Sequence, residues 1–89
     1  MKVNFFALLR PITGEKSVEI EPSADLRELI SRLDSRYGRF KEALLNESGQ
    51  LLPGVVILVN GVNVYSLAGL DTPLSDSDTV SFFPPLGGG

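Results

Sequence analysis

The sequence contains no cysteine, no histidine and no tryptophan, and only one methionine. Without cysteine there are no disulfides, no thiol nucleophile and no zinc site built on thiolates. Without histidine the chain lacks the side chain that most often acts as a general base near neutral pH. Any sulfur chemistry must therefore use sulfur acquired from elsewhere. Long apolar runs are missing too, since none approaches the roughly 20 residues of a membrane-spanning helix. The opening Met1-Lys2-Val3-Asn4-Phe5-Phe6 enters a strand pattern without the apolar stretch and small-residue cleavage site of a signal peptide. The expectation is a cytoplasmic protein with no membrane partner. Excess positive charge is also absent: the net charge is −3 and the pI about 4.7. This argues against a nucleic-acid partner, which calls for a basic face.

What is present suits one small domain. The chain has 89 residues, 43% hydrophobic and 21% charged, with a mean hydropathy of +0.14. That composition supports a compact core rather than disorder. Val3, Phe5, Ala7 and Leu9 alternate with Phe6 and Leu8 as the two faces of a first strand. Arg10-Pro11-Ile12-Thr13-Gly14 then reads as a turn. Residues 16–21 alternate through Val18 and Ile20 as a second strand. Ser23 is expected to cap a helix with Asp25 in its first turn. Leu26, Leu29, Ile30, Leu33 and Tyr37 follow at helical spacing, and Gly38 ends the run. A short helical piece is expected around Phe40, Ala43 and Leu44. Val55-Val56-Ile57-Leu58-Val59 is apolar on both faces, as a buried strand should be. Asn60-Gly61 signals a tight turn into a strand at Val62-Asn63-Val64-Tyr65. Residues 66–77 are irregular, and Val80-Ser81-Phe82-Phe83 is the last strand.

The order β-β-α-β-β-β places one helix on one face of a mixed sheet of about five strands, an α+β roll of the β-grasp kind. Residues 1–83 are expected to form this domain and residues 84–89 a tail. Pro84-Pro85-Leu86-Gly87-Gly88-Gly89 has two residues of restricted φ followed by side-chain-free backbone. Read as a chain end, it offers a carboxylate on a thin stalk that another protein can close around. Residues 85–89 span at most roughly 17 Å when extended. Phe6, Leu8, Leu58 and Phe83 share the sheet face away from the helix. They form either a second small core under the 66–77 loop or a docking patch, and docking is the reading adopted. Arg27, Arg32, Arg36 and Arg39 read as solvated charges, while Arg10 stands apart for its nearness to the tail. Asp71, Asp76 and Asp78 read as turn-formers, and their spacing fits no calcium loop. No metal site is expected.

The chain resembles the MoaD family, the small subunit of molybdopterin synthase, within the ThiS/MoaD group of ubiquitin-like sulfur carriers. The resemblance is carried by Val80-Ser81-Phe82-Phe83-Pro84-Pro85-Leu86-Gly87-Gly88-Gly89, by Val3-Asn4-Phe5-Phe6-Ala7 with Arg10, by Val59-Asn60-Gly61, and by Leu70-Asp71-Thr72-Pro73-Leu74 running to Asp76-Ser77-Asp78-Thr79-Val80. It covers essentially the whole chain. Two departures are Ser77, where the family commonly has glycine, and Gly87, where alanine or threonine is frequent. The resemblance implies that a ubiquitin-activating-type adenylating enzyme joins Gly89 to AMP, using ATP that this chain does not itself bind. A persulfide donor then leaves a thiocarboxylate on Gly89, and the sulfur passes to a pterin precursor on the large synthase subunit. The chain would be a sulfur-carrying subunit without catalytic groups or bound cofactor of its own. Three alternatives stay open. One is a carrier of the ThiS type or for another pathway, although thiazole carriers tend to be shorter and lack the aromatic-diproline exit. Another is a ubiquitin-like modifier joined to lysines through Gly89. The third is a plain β-grasp interaction module whose tail is inert.

Overall fold

A computed structural model describes residues 1–85. Its strands are β1 (Lys2–Phe5), β2 (Ser17–Glu19), β3 (Val56–Val59), β4 (Val62–Asn63) and β5 (Thr79–Phe83), and its α-helices are α1 (Leu9–Thr13) and α2 (Leu26–Tyr37). Single 3₁₀ turns occupy Lys41–Ala43, Val64–Ser66 and Gly69–Asp71. The strands form one mixed sheet in the order β2-β1-β5-β3-β4. β1 and β5 run parallel, with Val3 opposite Val80 and Phe5 opposite Phe82. Every other pairing is antiparallel. This is the expected β-grasp arrangement, with one main helix and a five-stranded sheet.

Alternation along the strands sorts the side chains. Val3, Phe5, Ile57, Val59, Val80 and Phe82 point to the helix side and are buried. Leu26, Leu29, Ile30 and Leu33 of α2 close over them, each no more than 1% exposed. At the middle of this layer Phe40 meets Phe5 and Phe82 edge-on, at centroid distances of 5.6 and 5.3 Å. Such edge-to-face contacts add to the burial of large apolar surface. The short helical piece expected around Phe40, Ala43 and Leu44 is the 3₁₀ turn at Lys41–Ala43, and Phe40 and Leu44 on either side of it are fully buried.

Three local expectations are corrected. The first strand ends at Phe5 rather than Leu9. Ala7 turns the chain through a left-handed φ of 51°, and residues 9–13 form α1, which still buries Leu9 completely. Pro11 is tolerated because it lies in the first helical turn, and Gly14 ends the helix at φ 75° with its N–H on the Arg10 carbonyl. The cap of α2 is Asp25, not Ser23: the Asp25 carboxylate accepts from the Glu28 N–H at 2.8 Å. The Glu28 side chain accepts from the Ala24 N–H at 3.3 Å, close to a reciprocal capping box. Ser23 is buried instead, its Oγ accepting from Arg32 Nη1 at 3.0 Å. The strand expected to run through Tyr65 stops at Asn63, where the side chain accepts from the Tyr65 N–H and opens a 3₁₀ turn.

The Asn60-Gly61 turn has both residues at positive φ, 52° and 82°, as a two-residue hairpin turn requires. It is also tied to the central strand. Asn60 Oδ1 accepts from the Thr79 N–H at 2.9 Å, and Asn60 Nδ2 donates to Asp78 Oδ1 at 2.8 Å. Asp78 Oδ2 accepts from the Ser75 N–H at 2.8 Å, which confirms a turn-forming role. These bonds, led by that from Asn60, hold the Asp78 carboxyl below its ordinary value. Ser77 is not among the residues at positive φ, so serine is accommodated there without backbone strain.

Replacing Asn60 with Asp keeps the acceptor for Thr79 but sets two carboxylates together. We expect Asn60→Asp to destabilise the fold by about 1 kcal/mol or more at neutral pH. The lowered folded-state value of Asp78 means that its contribution is present above the ordinary carboxylate range and is lost as pH falls through that lowered value. The deficit of the variant should therefore shrink towards pH ~3, as the facing carboxylates protonate. Melting temperatures of both proteins across an acid series check this, and a deficit that grows on acidification would refute the clamp.

Candidate functional site at the open sheet face

The sheet face opposite α2 is built from the outward residues of the same strands. In one row Asn4 lies opposite Ser81, which lies opposite Leu58, which lies opposite Asn63. Asn4 Nδ2 donates to Ser81 Oγ at 3.3 Å, so the middle of this face is polar. The next row is apolar, with Phe83 opposite Val56. Phe6 joins that row from beyond the end of β1, its N–H donating to the Phe82 carbonyl at 3.2 Å. The Phe6 and Phe83 rings stack at 4.2 Å with an interplanar angle of 11°. Leu8, on the turn into α1, is 59% exposed.

The four residues expected to dock a partner fall as follows. Phe6 and Phe83 are in contact, and Leu58 lies on their face one row inward. Leu8 stands at the rim on the turn. None belongs to the buried core. The 66–77 loop does not cover them, because it packs on the helix side. There the Leu26 N–H donates to Thr72 O and the Leu74 N–H to Ala24 O, at 3.0 and 3.1 Å. A second core beneath that loop is thereby excluded. β3 is also not enclosed on both faces: Val55, Ile57 and Val59 are buried while Val56 and Leu58 are only half-buried. Val56 was missed as a member of the patch. The signal was its outward parity with Leu58.

The central strand delivers the chain to this apolar end. Pro84 is buried and Pro85 half-buried. Pro85 lies against Gly54, its Cβ 3.6 Å from where a side chain on that glycine would begin. Gly54 has a φ of 87°, so its backbone also disfavours any other residue. The expected tail start at Pro84 is therefore packed on the body, and Leu86, Gly87, Gly88 and Gly89 lie outside the described residues. Arg10 completes the patch. Its Nε donates to the Phe5 carbonyl at 2.9 Å, and its guanidinium carbon sits 5.4 Å from the centre of the Phe6 ring.

The described residues offer little acid-base chemistry for a reaction. The Tyr37 hydroxyl donates to Glu15 Oε2 at 2.6 Å, and burial together with this bond pushes the phenol up to about 12. Asp78 is displaced the other way. Both shifts move the group away from neutrality. Among the described residues no cluster of three or more carboxylates could hold a metal ion. Asp71 pairs with Arg27 at 3.3 Å, and Asp76 lies 3.4 Å from the Met1 amine. No described helix is long and apolar enough to cross a membrane.

A family model described as the ThiS family matches residues 3–89. The small archaeal modifier protein 3 of Haloferax volcanii is 35% identical over 91 residues, covering 100% of this chain and 98% of that protein. The sulfur carrier protein CysO of Mycobacterium tuberculosis is 37% identical, over 98% of this chain and 96% of its own. The molybdopterin synthase sulfur carrier subunit of Escherichia coli is 34% identical, over 100% and 99%. Among solved structures, a chain of the Amycolatopsis orientalis BexX/CysO complex superposes with a TM-score of 0.86 at 34% identity, covering 99% of this chain and 98% of that one.

Stacked rings of this geometry are expected to stabilise the fold beyond the area they bury. In a double-mutant cycle with Phe6→Leu and Phe83→Leu, we expect a coupling of about 0.5–1.5 kcal/mol in urea unfolding. Leu8→Ser should change stability by no more than about 0.5 kcal/mol. Zero coupling would show that the rings only share a surface.

Proposed function

The chain belongs to the ThiS family, the group of sulfur carriers and ubiquitin-like modifiers, and from that premise we propose that it carries sulfur as a thiocarboxylate on Gly89. The observation that supports this is the way β5 ends. Phe82 anchors the strand in the core, Phe83 opens onto an apolar patch, and the chain passes Pro85 beside that patch. A partner seated on Phe6, Phe83, Val56 and Leu58, with Leu8 at the rim, would meet the departing chain directly. Pro84 and Pro85 set its direction, while Gly87 and Gly88, which have no side chains, suit a narrow channel beyond Leu86.

The chemistry follows from what a carboxylate cannot do unaided. Its oxygen is a poor leaving group, so it must first be activated. In a ubiquitin-activating-type enzyme the Gly89 carboxylate attacks the α-phosphorus of ATP and expels pyrophosphate. The outer sulfur of an enzyme persulfide then attacks the acyl carbon and expels AMP. A second thiol cleaves the resulting acyl disulfide, leaving the thiocarboxylate on Gly89 and the two enzyme sulfurs as a disulfide. ATP and all acid-base groups belong to the partners, and this chain supplies the carrier arm and the docking face. We propose a pterin precursor as the recipient, with the chain as the small subunit of molybdopterin synthase. Likeness to the Escherichia coli subunit along essentially its whole length supports this finer reading.

A second reading has its own support in the 35% identity to a small archaeal modifier protein. The same Gly89 adenylate, met by a lysine amine instead of a persulfide, would give an isopeptide bond and release AMP.

Incubation with ATP, a persulfide donor and the adenylating enzyme of the same cell should raise the intact mass by sulfur in place of one oxygen. Deleting Gly89 should abolish the gain while leaving the melting temperature nearly unchanged. Adding the large synthase subunit and the pterin precursor should then restore the original mass. An unchanged mass with a demonstrably active enzyme sinks the carrier reading, and lysine adducts in its place establish the modifier. Leu8→Asp should slow sulfur loading several-fold without altering the fold.

A further inference from the structure

One cation at the docking face is left unused by the chemistry above. The Arg10 guanidinium carbon lies 5.4 Å from the centre of the Phe6 ring, which itself stacks on the Phe83 ring at 4.2 Å. The bond from Nε to the Phe5 carbonyl, 2.9 Å, anchors the guanidinium to the backbone. Its Nη groups have no hydrogen-bond or ion-pair partner among the described residues. Three other arginines are committed: Arg27 to Asp71, Arg39 to Glu42, and Arg32 to the carbonyls of Glu21 and Pro22. Arg10 thus presents an ordered pair of donors beside exposed apolar surface, on a chain whose net charge is −3.

A partner that covers this patch removes water from those donors. An unmatched guanidinium at a desolvated contact is costly, and the acceptor that matches a planar fork is a carboxylate, bound through two parallel N–H···O bonds. We propose that the adenylating enzyme presents an aspartate or glutamate side chain to Arg10, set beside apolar side chains that cover Phe6, Phe83 and Leu58. This rests on the carrier reading and specifies the chemistry of its first partner. Attraction between an oriented cation and a carboxylate fixes the rotational register of the docked carrier, and so the direction in which Gly89 is offered.

The test is titration calorimetry of the full chain into the adenylating enzyme of the same cell, with wild type, Arg10→Gln and Arg10→Lys. We expect Arg10→Gln to weaken Kd by about 10- to 100-fold. Arg10→Lys, which keeps the charge but not the fork, should recover only part of that loss. Added salt should weaken wild-type binding more steeply than that of Arg10→Gln. In the free chain, the Gly89 carboxylate should titrate identically in wild type and Arg10→Gln by NMR. An unchanged Kd in Arg10→Gln overturns the proposal, as does full affinity in Arg10→Lys. If Arg10→Gln melts early through loss of the Phe5 carbonyl bond, the lysine variant alone decides. A Gly89 carboxylate that titrates higher in Arg10→Gln identifies the chain's own terminus as the occupant and overturns it too. Failure of wild type itself to bind is a different result: it removes the carrier reading on which the proposal stands.

Discussion

The parallel pairing of β1 with β5 is the constraint on which the rest of the structure depends. It joins residues 2–5 to residues 79–82 across nearly the whole length of the chain. It also sets two Phe-Phe dipeptides side by side. Because side chains alternate along a strand, each dipeptide sends one ring inward and one outward. Phe5 and Phe82 enter the core and meet Phe40; Phe6 and Phe83 stack on the opposite face. A slip of one residue in this register would exchange the two sets, exposing the core pair and burying the outward pair. The same four aromatic residues therefore fix both the core and the apolar end of the open face.

The sheet centre limits the apolar part of the open face to one end. Asn4 and Ser81 satisfy one another in the row next to the patch, which interrupts what would otherwise be a continuous apolar surface. The patch is confined to the end where β5 terminates. The second exposed apolar group, Val62, Tyr65 and Leu67, lies at the opposite edge of the sheet, on and after β4. It has no comparable relation to the departing chain.

Much of this was legible in the sequence, and the parts that were not share a physical cause. The helix over Leu26–Tyr37, its glycine stop, the Asn60-Gly61 turn and the last strand all follow from period and turn chemistry. Alternation placed Phe6, Leu58 and Phe83 on the outward face, whereas Leu8 falls on the turn into α1, and Val56 was hidden because an apolar run reads as buried on both sides. The misread segment was residues 7–13. Alternation continues there to Leu9, but the left-handed Ala7 ends the strand and a helix buries Leu9 by another route. Proline followed three residues later by glycine carried the helix signal, the usual asymmetry between the two ends of a helix. Ser23 and Asp25 are both good caps by residue type. Only the Glu three residues beyond Asp25 separates them, and it favours the residue found.

The sequence has no histidine or cysteine, and Tyr37 and Asp78 are displaced away from neutrality. That suits the carrier reading proposed above. A nucleophile or base near Gly89 would hydrolyse or capture the acyl adenylate before sulfur reached it, so reactivity is best confined to the partner's site. The carrier must instead guarantee position. Pro84 is buried and Pro85 lies against Gly54, so the last described residues are held beside Phe83 on the body of the domain. On the carrier reading proposed above, a partner seated at the apolar end of the sheet would meet the chain at a fixed point, and fixing that point beforehand reduces the ordering entropy that binding costs.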